Sequence, residues 1–216
     1  FTPFIDSLFT SASAACVTGL ISFDTATHWS VFGQVIILLL IQIGGMGVIT
    51  MAVAFALLTG RKISLFERKA MQESVSAKSV GGIVKLTGFI LKGIFLIEFI
   101  GFIILSFVFT KDFGIKGLWC ALFTSVSAFC NAGFDLMGGY SGQFSSLTAF
   151  TGNVTVNLTV CLLILIGGLG FLTWQDVIVN KFNLKKYSVQ SKIILASSLF
   201  LIFLPAVYFF FAEFSD

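Results

Sequence analysis

The residues with the most chemical content are two short runs that repeat each other. Leu8-Phe9-Thr10-Ser11-Ala12-Ser13-Ala14-Ala15-Cys16-Val17-Thr18-Gly19-Leu20 recurs as Leu122-Phe123-Thr124-Ser125-Val126-Ser127-Ala128-Phe129-Cys130-Asn131-Ala132-Gly133-Phe134, with eight of thirteen positions identical. Both copies place hydroxyl-bearing residues ahead of Cys-x-x-Gly, and neither contains His, Asp or Glu. Nucleophilic and general acid–base chemistry therefore finds no base within them. The cysteines at 16, 120, 130 and 161 show neither CxxC nor Cys/His ligand spacing, so they indicate no zinc site or disulfide framework and read as small buried thiols. What remains is the chemistry of the main chain. A helix ending at Cys-x-x-Gly turns its partially negative end toward the residues that follow. Gly19 and Gly133 tolerate the positive φ that lets successive carbonyls face one axis, and carbonyls so arranged can replace a cation's hydration shell.

The elements that position these runs follow from hydropathy. Hydrophobic residues make up 57% of the 216 positions and charged residues only 11%, which places the chain in a bilayer rather than in water. Residues 31–58, 154–173 and 193–212 carry no charge, and residues 86–110 carry only Lys92 and Glu98, so four spans are predicted. The segment before each Cys-x-x-Gly is about a dozen residues long, too short for a span that needs roughly 20. It is expected to enter and return, as a re-entrant loop does where protein or a watery cavity receives its unpaired backbone. A second match follows in each copy, Ile43-Gly44-Gly45-Met46-Gly47 against Ile166-Gly167-Gly168-Leu169-Gly170. The repeated unit is thus a short helix, Cys-x-x-Gly, a loop, and a long span with a Gly-Gly-x-Gly core.

Orientation follows from charge. Residues 60–85 hold Arg61, Lys62, Arg68, Lys69, Lys78 and Lys85, whereas residues 1–34 hold no Lys or Arg, so the linker is predicted to be cytoplasmic. Lys181, Lys185, Lys186 and Lys192 assign residues 180–192 to the same side, and the Cys-x-x-Gly loops open to the outside. Ser64 and Glu67 have capping-box spacing, which predicts a short helix in the linker that either lies at lipid headgroups or docks a cytosolic regulator.

At these residues the sequence resembles the Trk/Ktr/HKT superfamily of K⁺ transporters, and the bacterial Ktr membrane subunit most closely, over nearly the whole chain. Gly60-Arg61-Lys62-Ile63-Ser64, Glu67-Arg68 and Gln72-Glu73-Ser74 also resemble the family's first linker. The resemblance implies an all-α, K⁺-channel-like membrane fold of four M1–pore loop–M2 units, each with a filter glycine. By position, Val17, Thr18 and Gly19 with Asn131, Ala132 and Gly133 are then filter residues that hold K⁺ through main-chain oxygens. Residues 1–80 would carry the pore loop, M2 and linker of a first unit lacking its M1, 81–187 a second unit, and 188–216 the M1 of a third. Two loops cannot close a four-sided filter, so either a longer chain or the pairing of two such chains is expected, the former being favoured. The implied activity is K⁺ uptake across the plasma membrane without enzymatic chemistry or an organic cofactor, Na⁺ being left open as cofactor or second permeant ion. Implied partners are the lipid bilayer, a second copy in a homodimer, and a cytosolic nucleotide-binding (RCK-type) subunit docked at Arg61, Lys62, Arg68 and Lys69, with no nucleic acid.

Other features weigh less. The glycines of Gly-Gly-x-Gly are expected to allow close helix packing, to make room for the re-entrant loop or to bend M2. Glu98 inside an apolar span needs a partner, and Lys92 can snorkel to the cytoplasmic edge. His28 is the sole histidine and is expected at the surface, and Pro205 at most kinks the last span. A competing reading makes the chain a noncatalytic anchoring subunit whose loops only pack between helices.

Overall fold

Apolar residues at helical spacing build nearly every element. The computed structural model describes residues 2–47, 83–181 and 183–213, with positions 51 and 69. Arg61, Lys62 and Arg68, like the capping box at Ser64 and Glu67, lie outside the described residues, and Lys69 is exposed. The described residues form helices and turns without a strand, and they divide into two compact units, Phe1–Gly168 and Leu169–Asp216.

The first unit contains α1 (Phe4–Ala15), α2 (Thr25–His28), α3 (Val31–Met46), α4 (Ile83–Phe113), α5 (Lys116–Phe129), α6 (Gly138–Ser141) and α7 (Val154–Gly168). In α4 the buried positions Ile90, Ile94, Glu98, Gly101, Leu105 and Phe109 recur every three or four residues, a single stripe. Phe95, Leu96, Phe99, Ile103 and Phe107 are exposed on the other faces, as expected of a helix whose outer side meets lipid. The stripe packs on α5 and α7, and α5 also meets α3, so ten of the fourteen residues of α5 are buried. By contrast α1 packs on α3 and keeps Phe4, Ile5, Leu8 and Phe9 exposed.

Helix ends follow from local chemistry. The Ser30 hydroxyl accepts the Gly33 N–H at 3.3 Å and starts α3, while the Asn153 side chain accepts the Val156 N–H at 3.2 Å at the start of α7. The stretches 87–113 and 189–212 are helical, long and apolar enough to cross a membrane. The other two predicted spans differ from expectation. Within residues 31–58 the described helix stops at Met46, and residues 154–173 form two helices, α7 and a separate α8 (Phe171–Asn180). Gly47 and Gly170 have φ of +79° each, far from the −63° of an α-helix, so the third glycine of each Gly-Gly-x-Gly interrupts the helix in both copies.

The second unit holds α8, a 3₁₀ turn (Leu184–Lys186), α9 (Val189–Tyr208) and a π turn (Phe209–Glu213). Asp176 Oδ2 accepts from the Ser188 N–H at 3.0 Å, the Ser188 hydroxyl at 2.7 Å and the Ser191 hydroxyl at 2.6 Å, which ties the start of α9 to α8. Pro205 lies inside α9 without ending it, and a π turn begins four residues later. The cysteines are all free, but the expectation that all four are buried needs correction: Cys120 and Cys130 are buried, Cys16 and Cys161 exposed. Cys130 has Gly45 of α3 against its Sγ, whereas Cys16 follows the sparsely covered α1.

Candidate functional site

Both Cys-x-x-Gly runs fold alike, with equivalent main-chain hydrogen bonds. After α1, the Cys16 N–H donates to Ala12 O (2.8 Å), Val17 N–H to Ala14 O (3.3 Å) and Thr18 N–H to Ser13 O (2.9 Å). After α5, Cys130 N–H donates to Val126 O (2.9 Å), Asn131 N–H to Ala128 O (3.1 Å) and Ala132 N–H to Ser127 O (2.8 Å). The last carbonyls of each short helix thereby consume the donors of the loop that follows it, a C-cap in which the orphan acceptors are satisfied. The loop's own acceptors are left over. Among the described residues no hydrogen bond reaches the main-chain oxygens of Val17, Thr18, Asn131 or Ala132.

Backbone handedness repeats as well. Val17 and Gly19 have φ of +57° and +77°, and Asn131 and Gly133 have +58° and +74°, with Thr18 and Ala132 between them at ordinary negative φ. Val17 is β-branched, and a left-handed conformation there is strained, held by the three hydrogen bonds around it. The two loops touch. A methyl group added at Gly19 would lie 2.5 Å from Ala132 O, and one at Gly133 would lie 3.7 Å from the Gly19 Cα. The structure therefore brings the six residues Val17, Thr18, Gly19, Asn131, Ala132 and Gly133 to one place from positions more than a hundred residues apart in the chain.

Helices pin these loops from behind, and the glycine pairs explain how. A methyl group at Gly44 would sit 2.2 Å from Ala15 O, and one at Gly167 would sit 1.9 Å from Phe129 O, equivalent atoms in the two copies. Close packing is thus the role of the first glycine, which lets α3 and α7 lie against the last carbonyls of α1 and α5. A methyl at Gly45 would meet Cys130 Sγ at 2.4 Å, so α3 also braces the loop of the second copy. Side-chain hydroxyls stiffen each turn: Ser13 and Thr18 share a hydrogen bond of 2.8 Å, and the Ser127 hydroxyl donates to Phe134 O at 2.5 Å.

Beside the loops lie two carboxylates that the spacing of motifs did not single out. Asp24 Oδ1 accepts from Ala26 N–H (3.0 Å), Thr27 N–H (2.9 Å) and the Thr27 hydroxyl (3.0 Å), and Oδ2 accepts from Phe144 N–H (3.0 Å) of the second copy. Burial pushes the Asp24 carboxyl up, but the hydrogen bonds from Phe144, Thr27 and Ala26 outweigh it and hold the group below its usual value. Asp135 goes the other way. Burial raises it, against the Met137 N–H donated at 2.8 Å, and the charge of Asp24 adds to the rise. Asp135, Asn131, Gly133, Thr124 and Ser127 line a cleft of about 270 Å³ beside the second loop, a volume that would admit several water molecules.

Other polar groups pair across helices. Glu98 is buried and accepts from Gln42 Nε2 at 2.9 Å, and Gln34 Oε1 accepts from Trp119 Nε1 at 2.8 Å. Gln34 and Gln42 could have been found from the sequence, because an amide in an uncharged membrane run needs a partner. His28 is exposed as expected, within 2.9 Å of the Thr2 hydroxyl and stacked on Phe23, and no group of His, Cys, Asp or Glu among the described residues could hold a metal through side chains.

Apolar spans, short helices between them and a repeated loop whose main-chain oxygens accept nothing from the described residues are the features of a multi-pass, helical membrane protein, and the class they fit is cation transport. The chain belongs to the TrkH family, cation transport protein, whose family profile matches residues 2–212. It is 42% identical over 196 residues to the potassium/sodium uptake protein NtpJ of Enterococcus hirae, covering 90% of this chain and 42% of that one. It is 39% identical over 213 residues to the Ktr system potassium uptake protein B of Bacillus subtilis, covering 98% and 46%, and 34% identical over 173 residues to its namesake in Vibrio alginolyticus, covering 80% and 37%. The chain spans less than half the length of these curated relatives.

Proposed function

We propose that the full-length protein admits K⁺ into the cell through a filter made of main-chain oxygens, and that Val17, Thr18, Gly19, Asn131, Ala132 and Gly133 form two of its sides. The observation that carries this reading is the one-sided backbone of the loops. The N–H groups of Val17, Thr18, Asn131 and Ala132 are spent on their own short helices, while the oxygens of the same four residues accept nothing from the described residues. Positive φ at Val17 and Asn131 lets each loop turn its first N–H groups back onto its own short helix, which leaves the carbonyls of the loop unpaired by them. Unpaired oxygens at the negative ends of two helices stabilise a dehydrated monovalent cation better than they stabilise lipid or an empty cavity. The names of the relatives, potassium uptake and potassium/sodium uptake, support K⁺ as the transported ion with Na⁺ as a second permeant ion or coupled cofactor.

In this reading the loops open to the outside and the basic linker 60–85 and residues 180–192 face the cytoplasm. Residues 1–80, 81–187 and 188–216 are successive parts of three M1–pore loop–M2 units. Arg61, Lys62, Arg68 and Lys69 would dock a nucleotide-binding regulatory subunit beneath a homodimer.

The test is Gly133→Ser in the full-length transporter, with K⁺ and Na⁺ influx measured separately in cells lacking other K⁺ uptake. The expected result is loss of K⁺ preference at unchanged membrane abundance. An unchanged K⁺ to Na⁺ ratio would leave the loops as packing elements and overturn the proposal.

A further inference from the structure

Glu98 lies in the middle of α4, 4% exposed, in a segment long and apolar enough to span the membrane. Its position is a junction of three helices. The carboxylate Oε1 accepts from Gln42 Nε2 of α3 at 2.9 Å, and the main-chain oxygen of the same residue accepts from the Ser125 hydroxyl of α5 at 2.7 Å. Ser125 is fully buried and lies five residues before Cys130, where the second loop begins. Gln42 lies three residues before Gly45, whose missing side chain accommodates Cys130 Sγ. One turn beyond Glu98, a methyl at Gly101 would lie 2.6 Å from Ser125 Oγ, so α4 and α5 have no slack at this point.

From this geometry we infer that Glu98 is a positioning residue for selectivity: with Gln42 and Ser125 it fixes the second Cys-x-x-Gly loop against the helix of the first repeat. The inference rests on the filter reading proposed above. Two of the contacts that hold the second loop in register, α3 to Cys130 and α4 to α5, meet at this one residue, while α7 holds the loop independently through Gly167. Without the Glu98–Gln42 bond, α3 keeps its apolar packing but loses a side-chain hydrogen bond to the buried Glu98 of α4. A filter discriminates between ions of similar size by holding its oxygens at set positions, so slack behind one loop appears first as lost discrimination and only later as lost flux. Glu98 takes part solely as an acceptor, because Gln42 supplies the proton. A glutamine at 98 keeps an acceptor oxygen on the same stem, whereas alanine removes it.

The experiment is the K⁺ to Na⁺ permeability ratio of the full-length transporter, with membrane abundance measured in parallel, for Glu98→Gln, Glu98→Ala, Gln42→Leu and Gly133→Ser. Glu98→Gln is expected to stay near the native ratio, while Glu98→Ala and Gln42→Leu lower it by about tenfold, the scale of one buried hydrogen bond. Should Glu98→Ala fail to reach the membrane, Gln42→Leu decides, since it leaves the acidic residue in place and removes one donor from the partly exposed side. A native ratio in Gln42→Leu overturns the inference, as does a loss in Glu98→Gln equal to that in Glu98→Ala. If Gly133→Ser also leaves the ratio unchanged, the filter reading itself has failed; if Gly133→Ser alone shifts it, only the role of Glu98 has.

Discussion

At the scale of single residues, Gly19 and Gly133 look interchangeable in sequence but are constrained differently. Both have positive φ, which costs an alanine about 1–2 kcal/mol. At Gly19 the added methyl also collides with Ala132 O at 2.5 Å, whereas at Gly133 its nearest neighbour is the Gly19 Cα at 3.7 Å. Gly133→Ala is therefore expected to retain measurable transport and Gly19→Ala to lose it, as read by Rb⁺ uptake at matched abundance. The two outer carboxylates differ in the same way. The folded protein holds Asp24 below its usual value, so the stability its charge contributes is complete above the unfolded value of 3.8 and is lost only as pH falls through the lower folded one. Between about pH 5 and 8 the clamp to Phe144 is expected to hold, and Asp24→Asn to cost about 2 kcal/mol throughout that range in thermal unfolding. Asp135, raised by burial, is protonated first on acidification. Lowering external pH should reduce the apparent affinity for K⁺, and Asp135→Asn should remove most of that dependence.

The scale of elements shows what spacing can and cannot reveal. Two short helices ending at Cys-x-x-Gly, the apolar span of α4 and the last span were all legible, because length, hydropathy and glycine position are properties of the sequence itself; the buried stripe of α4 was not, since its exposed faces are equally apolar. The interruption at the third glycine was only one of the roles the motif left open, a bend in M2, since hydropathy runs on unbroken through residues 31–58 and 154–173. The division of labour within Gly-Gly-x-Gly was not legible, since it depends on which atom faces each glycine across the helix interface. Gly167→Ala would drive a methyl to 1.9 Å from Phe129 O and is expected to cost about 2–3 kcal/mol or to prevent folding. Nothing lies within 4 Å of a methyl at Gly170, so Gly170→Ala should cost only the strain of its positive φ, about 1–2 kcal/mol. The difference in thermal midpoint between these variants in detergent checks the assignment.

For the whole molecule, equivalent residues of the two repeats meet different surroundings. Phe9 is 43% exposed and its counterpart Phe123 is fully buried, because α5 is enclosed by α3, α4 and α7 while α1 has α3. Burial of this kind depends on neighbours, which is why the sequence could not separate Cys16 from Cys130 although it identified the repeat that contains them. The same limit hid the Gln42–Glu98 bond and the reach of Asp24 to Phe144, contacts between residues 56 and 120 positions apart. What the sequence did expose is the pair of loops, and their chemistry is the centre of this account. The most direct test is the anomalous difference density of Rb⁺ or Tl⁺ in the full-length transporter. The account predicts a peak within coordination distance of the main-chain oxygens of Val17, Thr18, Asn131 and Ala132. A transport-competent protein whose only ion density lies away from these oxygens, against side chains elsewhere, would contradict it.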